Sequence, residues 1–343
     1  MEKKMRIIEG YYMRLGDTIF YAKGVEHPPG KVIAYPKYVL DPKGERMDAR
    51  RRRYRKLFTQ EEQLRYLREY YNEYLVYDPY IGEEVPEIPL DSFNEVYDPL
   101  KRAKELLASS KPGIERDATD MILDLSSGFD NDEIGISGSL LVGLHNESSD
   151  IDLVVYGEDK GRKVYEILKE RLKEEKDYKR YSKGNAEALY KRRREETPIS
   201  WDEFLKQERR RILEGYYRNR EYSIRLVRQS NSYGSKIVRK LGEATLVLEV
   251  MDSRESIFTP CRYAVRSLKV VRGPETGRKV EFIYSLRERF TEIASEGDVI
   301  EARGEVEVWT YKTGDEVTLL YLGRKGDYMK LLWSRDTDDY INV

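Results

Sequence analysis

Between two short apolar runs, Ile134-Gly135-Ile136 and Leu153-Val154-Val155, the chain carries Gly138-Ser139, the spacer 140–149 and then Asp150-Ile151-Asp152. This stretch constrains the fold more than any other. Short apolar runs bounded by turn residues predict two strands, here joined by one or two helical turns that open at Gly138. Alternate side chains of a strand share a face, so Asp150 and Asp152 project together while Ile151 and Leu153 point the other way. Two carboxylates spaced about 6–7 Å along a strand repel each other unless a cation lies between them. Mg²⁺, a hard ion that takes oxygen ligands, suits that place, and Mn²⁺ is its natural substitute. Backbone N–H groups at Gly138 and Ser139 can approach a phosphate closely, because glycine has no Cβ and a helix start favours anions.

Composition sets the limits on what this stretch can belong to. The chain has 343 residues, room for two or three domains. Its net charge is −1, so no bulk basic field marks it as a nucleic-acid protein, and any such attraction must be local. Charged residues make up 36%, above the usual quarter, and with 28 tyrosines this matches the usage of heat-adapted proteins. Cys261 is the single cysteine, so no internal disulfide is available and a reducing, cytoplasmic setting is expected. No run of apolar residues is long enough to span a bilayer, so no membrane association is expected. One cysteine and two histidines, His27 and His145, exclude a structural zinc site.

Along the chain, Thr18–Ala22 and Val32–Tyr35 flank the turn residues His27-Pro28-Pro29-Gly30 and predict a β-hairpin over 16–40. Thr59-Gln60-Glu61-Glu62 predicts a helix start, followed by Leu64, Leu67, Tyr71 and Leu75 at helical spacing. Pro79, Pro86 and Pro89 predict a linker. Helices are expected over 97–109, capped by Asp98-Pro99, over 114–126, and from Ser200-Trp201-Asp202-Glu203. Strands are expected at 222–227 and 244–250. Four more follow, Arg262–Val271, Lys279–Tyr284, Val299–Trp309 and Val317–Leu322, separated by turns. The expected division is 1–90, an N-terminal hairpin and helical region with its linker; 91–254, a core with leading helices; and 255–343, a β-rich domain. Evenly spaced short strands in the last suggest a small antiparallel β-barrel.

The motif of Gly138-Ser139, the spacer and Asp150-x-Asp152 between apolar residues resembles that of the DNA polymerase β-type nucleotidyltransferase superfamily. The longer layout is similar to a group of uncharacterised, predominantly archaeal predicted nucleotidyltransferases. The features that carry this likeness are the segment from Ala22 to Ile33 and the later Ser256-Ile257-Phe258-Thr259-Pro260-Cys261-Arg262-Tyr263. The resemblance implies an α+β fold, a polymerase β-like mixed sheet with helices. It also implies an Mg²⁺-dependent transfer of a nucleoside monophosphate from an NTP, ATP among them, to a hydroxyl, with release of pyrophosphate. Asp150 and Asp152 would hold the metal, while Gly138, Ser139 and Ser149 would line the nucleotide. The superfamily's third carboxylate follows on a later strand, and here the strand 222–227 offers Arg225 at its centre and no acid inside. Glu249, which interrupts an apolar run, is the first choice for that third metal ligand, with Asp252 the alternative and an empty position the remaining one. Arg225 and Arg228 are candidates to clamp the leaving phosphates.

The acceptor is left open between RNA, protein and a small molecule. Basic residues cluster at 50–56, at 191–194 and over 218–240, with tyrosines interleaved. Such interleaving suits single-stranded nucleic acid, with Arg51, Arg53, Arg193, Arg239 and Lys240 the candidate contacts. Two further readings stand beside the RNA-directed transferase: a transferase-like RNA- or nucleotide-binding protein without turnover, and transfer of AMP to a protein.

Overall fold

The hairpin expected over 16–40 forms, and it is the seed of a much larger sheet. The computed structural model describes residues 6–229 and 232–335. The chain divides into two compact units: Met1–Pro79, Glu83–Lys179 and Leu213–Gly234 make the first, and Tyr80–Gly82, Arg180–Ile212 and Ser235–Val343 the second.

The first unit opens with β1 (Tyr12–Leu15), β2 (Thr18–Ala22), β3 (Lys31–Leu40), β4 (Arg46–Met47) and β5 (Arg53–Lys56). Then come α1 (Gln60–Tyr70), β6 (Leu75–Asp78), β7 (Glu83–Pro89) and β8 (Glu95–Tyr97). The sheet order is β4-β5-β3-β2-β1-β8, with β7 also on β3 and β6 on β7. Helix α1 begins where the sequence places it. The Thr59 hydroxyl accepts from the Glu62 N–H while the Glu62 carboxylate accepts from the Thr59 N–H, satisfying two amides that a helix start leaves open. Residues 79–89 do not form the expected linker. They supply the turn and second strand of a β6–β7 hairpin, with Leu75 opposite Pro86. A strand tolerates proline at its end or beside an edge strand; Pro89 closes β7, and β6 pairs on one side only.

The same unit continues with α2 (Pro99–Ser109), capped by the Asp98 carboxylate, and α3 (Ile114–Leu125). It goes on to β9 (Ile134–Ile136), α4 (Gly138–Leu141), β10 (Ile151–Tyr156) and α5 (Glu158–Glu174). The last strands are β11 (Tyr178–Lys179), β12 (Glu214–Tyr217) and β13 (Arg220–Val227). Strands run β11-β12-β13-β10-β9, with β10 and β13 parallel and the other neighbours antiparallel. One apolar cluster ties the two sheets together. Tyr12, Ile19, Tyr38 and Tyr54 of the N-terminal sheet pack with Leu141, Val142 and Leu144 beside the Gly-Ser turn. The expected boundary at residue 90 is therefore not where the chain divides. Burial of these seven side chains holds both segments in one unit, since each large apolar side chain removed from water contributes roughly 1.5–3 kcal/mol.

The second unit holds α6 (Lys183–Arg193), α7 (Trp201–Glu208), β14 (Lys236–Asp252), β15 (Phe258–Thr259) and β16 (Cys261–Arg272). β17 (Phe282–Ser285), β18 (Val299–Tyr311), β19 (Glu316–Tyr321) and β20 (Tyr328–Trp333) complete it. Helix α7 starts at the expected Ser200–Glu203 capping box. Pairing runs β14-β16-β17-β19-β18-β20, and β18 pairs again with β14. The sheet is not purely antiparallel as expected, because β17 and β19 run parallel. Strand β20 lies beyond the last strand expected from the sequence, although its run Tyr328-Met329-Lys330-Leu331-Leu332-Trp333 follows a turn signal and is mostly apolar. Leu246, Leu248, Val250, Val306, Leu320 and Met329 are among the side chains of this unit's core. No helix among the described residues is long and apolar enough to cross a membrane.

Candidate active site

Asp152 lies on β10 and Asp150 immediately before it. The parallel register pairs Asp152 with Ser223 of β13, and the Ser223 hydroxyl donates to Asp152 Oδ1 at 3.0 Å, so these side chains share a face. By alternation, Asp150 projects from that face too. Its carboxylate makes no hydrogen bond or ion pair among the described residues. The Gly-Ser turn lies against the same carboxylates. Ser137 N–H donates to the Asp152 carbonyl at 2.8 Å, which brings Gly138 to Asp152. A Cβ on Gly138 would stand 1.8 Å from Asp152 Oδ2, and Gly138 has φ +61°, a left-handed backbone conformation. Both facts disfavour any side chain at this position. The following Ser139 is buried, and its hydroxyl has no hydrogen-bond partner in the structure. A buried hydroxyl without a partner is costly unless a ligand supplies one. The helix expected after Gly138 is the single turn α4, which offers individual N–H donors rather than the dipole of a long helix.

The remaining expected site residues fall into two groups. Arg225 shares the face of Asp152, two register positions along β13, and donates from Nη1 to Glu9 Oε1 at 2.9 Å. Glu9 is buried and also accepts from the Gly24 N–H at 2.6 Å. Arg228 stands just beyond the end of β13, half-buried. Ser149, expected to line the nucleotide, has its hydroxyl engaged within the protein. Its hydroxyl accepts from Arg46 Nη1 at 2.7 Å and from the Asn146 N–H at 3.0 Å, closing the loop before β10. His145, half-buried, lies 3.7 Å from Glu115, and burial lowers its pKa.

Glu249 and Asp252 are the residues expected to supply the third acid. Both lie on β14, in a different sheet from Asp150 and Asp152. The Glu249 carboxylate accepts from Arg266, its cross-strand neighbour, and Asp252 is engaged by Arg254. An acid breaking an apolar run is thus explained by a cross-strand ion pair. The neighbour of β10 is β13, and there the register brings Glu221 level with Asp150, on the face of Ser223 and Arg225. The Tyr216 hydroxyl donates to Glu221 at 3.4 Å. Sequence reasoning passed over Glu221 because it sits at the strand's start rather than its middle, and only the pairing register shows its place. Among the described residues no three or more Asp, Glu, His or Cys side chains stand close enough to hold a metal ion together.

The N-terminal sheet supplies residues to which no sequence pattern pointed. Tyr38 of β3 and Tyr12 of β1 are buried, and their pKa values are raised chiefly by burial, with the Asp152 charge adding to it. Lys37, between Pro36 and Tyr38, is lowered to about 7 by burial and by Lys56; Asp152 acts in the opposite sense. The segment before β1 is anchored on the sheet that carries Asp152. Ser137 Oγ donates to the Gly10 carbonyl at 2.9 Å and Tyr156 Oη to the Glu9 carbonyl at 3.0 Å.

The basic clusters are more neutralised than their sequence suggests. Arg52 pairs with Asp17 and Asp48, and Arg55 with Asp41. Arg51 is exposed in a turn, and Arg53 is exposed with Nη1 donating to the Gly44 carbonyl. Arg193 pairs with the buried Glu208, while Arg239 is exposed and Lys240 half-buried on β14.

The Gly-Ser turn thus lies against Asp152 of β10, with Asp150 just before that strand. Residues 120–212 match the family model of the nucleotidyltransferase domain, a span that contains Gly138, Ser139, Asp150 and Asp152. The chain is also similar to an uncharacterized protein of the archaeon Methanocaldococcus jannaschii, 26% identical over 311 residues, covering 87% of this chain and 89% of that protein. No solved structure matches it. The match supports general nucleotidyl transfer as the chemistry of residues 120–212.

Proposed function

We propose that the protein transfers a nucleoside monophosphate from an NTP to a hydroxyl acceptor with the help of Mg²⁺ or Mn²⁺. The observation that carries this reading is the unengaged Asp150 carboxylate and the unpartnered Ser139 hydroxyl on either side of Asp152, with Gly138 pressed against it. That donor set fits a hard divalent cation beside a phosphate. When bound, such an ion supplies charge neutralisation of the triphosphate and activation of the attacking oxygen. Asp150 and Asp152 hold it, and Ser223 fixes the Asp152 rotamer through its hydrogen bond. The Gly138 and Ser139 N–H groups and the Ser139 hydroxyl grip the phosphates. The acceptor oxygen attacks the α-phosphorus in line, the bond to the bridging oxygen breaks, and pyrophosphate leaves with those electrons. Glu221, level with Asp150, takes the role first given to Glu249: it receives the proton of the incoming hydroxyl.

RNA is the acceptor we favour, through the exposed Arg51, Arg53 and Arg239 and the half-buried Lys240. The return of β18 to β14 fits a small closed barrel of the kind that binds oligonucleotides. A second reading, a nucleotide- or RNA-binding protein without turnover, draws on Arg225 standing mid-strand where an acid is expected. The test is incubation with each labelled NTP, Mg²⁺ or Mn²⁺ and total RNA or protein, using the wild type, Glu221→Gln and Glu249→Gln. The expected result is labelled RNA, lost in Glu221→Gln and kept in Glu249→Gln. The reverse pattern returns the role to Glu249, and no labelling with any NTP favours the second reading.

A further inference from the structure

Besides the Tyr12 and Tyr38 hydroxyls, three polar groups at the acidic pair make no hydrogen bond or ion pair among the described residues. Two are the Asp150 carboxylate and the Ser139 hydroxyl, already assigned to metal and phosphate. The third is the ammonium of Lys37, which the transfer chemistry above does not use. Lys37 lies on β3 of the N-terminal sheet, half-buried, with its Nζ 5.6 Å from the centre of the Tyr21 ring. That ring belongs to a row of four tyrosines, Tyr38, Tyr12, Tyr21 and Tyr35, with successive ring centres 6.2–6.5 Å apart. Tyr12 and Tyr38 pack with Leu141 and Val142 just after the Gly-Ser turn that lies against Asp152, so the row and the lysine beside it border the acidic pair.

The field around Lys37 is positive. Lys56, Arg225 and Lys23 all act on it with like charge, and Asp152 is the one acid among its principal influences. A half-buried ammonium among cations is expensive to maintain, and its conformity with the fold calls for an anion. The burial of the lysine, beside the acids rather than on the outer surface, fits a compact polyanion better than an extended strand. A nucleoside triphosphate carries more negative charge than one divalent cation neutralises, which leaves phosphate oxygens for a lysine to take.

We propose that Lys37 is a substrate-binding residue contributed by the N-terminal sheet, and that its ammonium binds the triphosphate of the NTP held at Asp150 and Asp152. This inference rests on the transfer reading for the identity of the anion. It makes the N-terminal sheet part of the active site rather than an appendage to it.

The test is equilibrium binding of ATP and of inorganic tripolyphosphate, each with Mg²⁺, to the full chain by calorimetry. Lys37→Met should weaken both by about tenfold or more, the loss of one charge-assisted hydrogen bond. Lys37→Arg should keep most of the affinity, and Lys31→Met, whose lysine is paired with Glu87, should change nothing. Because Lys37→Met removes a half-buried charge, its thermal midpoint should not fall, which separates lost binding from lost folding. Unchanged tripolyphosphate affinity in Lys37→Met overturns the proposal. So does a variant that loses only its affinity for a single-stranded RNA oligonucleotide. A wild type that binds neither ATP nor tripolyphosphate overturns both this inference and the transfer reading. Lys37-dependent tripolyphosphate binding without pyrophosphate release supports the inference and counts against transfer alone.

Discussion

Gly138 meets two demands together, a left-handed backbone and the approach of the Asp152 carboxylate to where a Cβ would be. Gly138→Ala should therefore cost at least about 1–3 kcal/mol from backbone strain. It should also push Asp152 off its hydrogen bond with Ser223, so nucleotide transfer should fall more than the modest drop in thermal midpoint explains. Unaltered transfer with an unaltered midpoint would show the turn to be adaptable. His27 offers a test by titration. Burial, aided by Arg6, lowers its pKa to about 4, and its Nδ1 accepts from the Ile33 N–H at 3.2 Å. The folded state thus favours neutral imidazole, while the unfolded chain takes up a proton near its ordinary pKa of about 6.5. Stability from this group is full above about pH 6.5 and is lost as pH falls toward 4, by at most about 3 kcal/mol. His27→Gln should flatten that part of the pH–stability curve. A wild-type curve that is already flat between pH 6.5 and 4 would contradict the assignment.

Among the elements, the strand β13 is tied to the segment preceding β1. Glu9 and Arg225 are 216 positions apart in sequence and join the N-terminal segment to the strand beside the acidic pair. Removing Glu9 takes one ion-pair partner from Arg225 and leaves the Gly24 N–H without its carboxylate acceptor. Glu9→Ala should thus destabilise the first unit by about 1–3 kcal/mol, the cost of leaving a buried donor unsatisfied. It should reduce transfer as well, since Arg225 shares the face of Asp152. Chemical denaturation of this variant against the wild type checks the first, and a shift under about 1 kcal/mol would mean that water substitutes for Glu9. Local elements were legible because their causes are local. The capping boxes at Thr59 and Ser200, the Asp98 cap and the hairpin turn after β2 act within a few residues. The wall formed by Tyr12, Lys37 and Tyr38 was not legible, because no short-range pattern says which sheet packs beside the Gly-Ser turn. Glu249 drew attention by interrupting an apolar run, whereas Glu221 gains its place only from the parallel register of β10 and β13.

For the molecule as a whole, a net charge of −1 means that any RNA affinity must come from local patches. Affinity for single-stranded RNA should then fall steeply with salt, with a slope of about −0.7 per phosphate neutralised. Replacing Arg51, Arg53, Arg239 and Lys240 together by alanine should flatten that slope in proportion to the phosphates no longer neutralised. A slope unchanged in this variant would move the acceptor site elsewhere or exclude RNA as the acceptor. The acidic pair itself remains the centre of the reading, and pyrophosphate release tests it most directly. With Mg²⁺, each NTP in turn and total RNA, the wild type should release pyrophosphate. Asp150→Asn with Asp152→Asn should release none while its thermal midpoint stays level or rises, because like-charge repulsion is relieved. Release by the double variant at the wild-type rate would contradict the assignment.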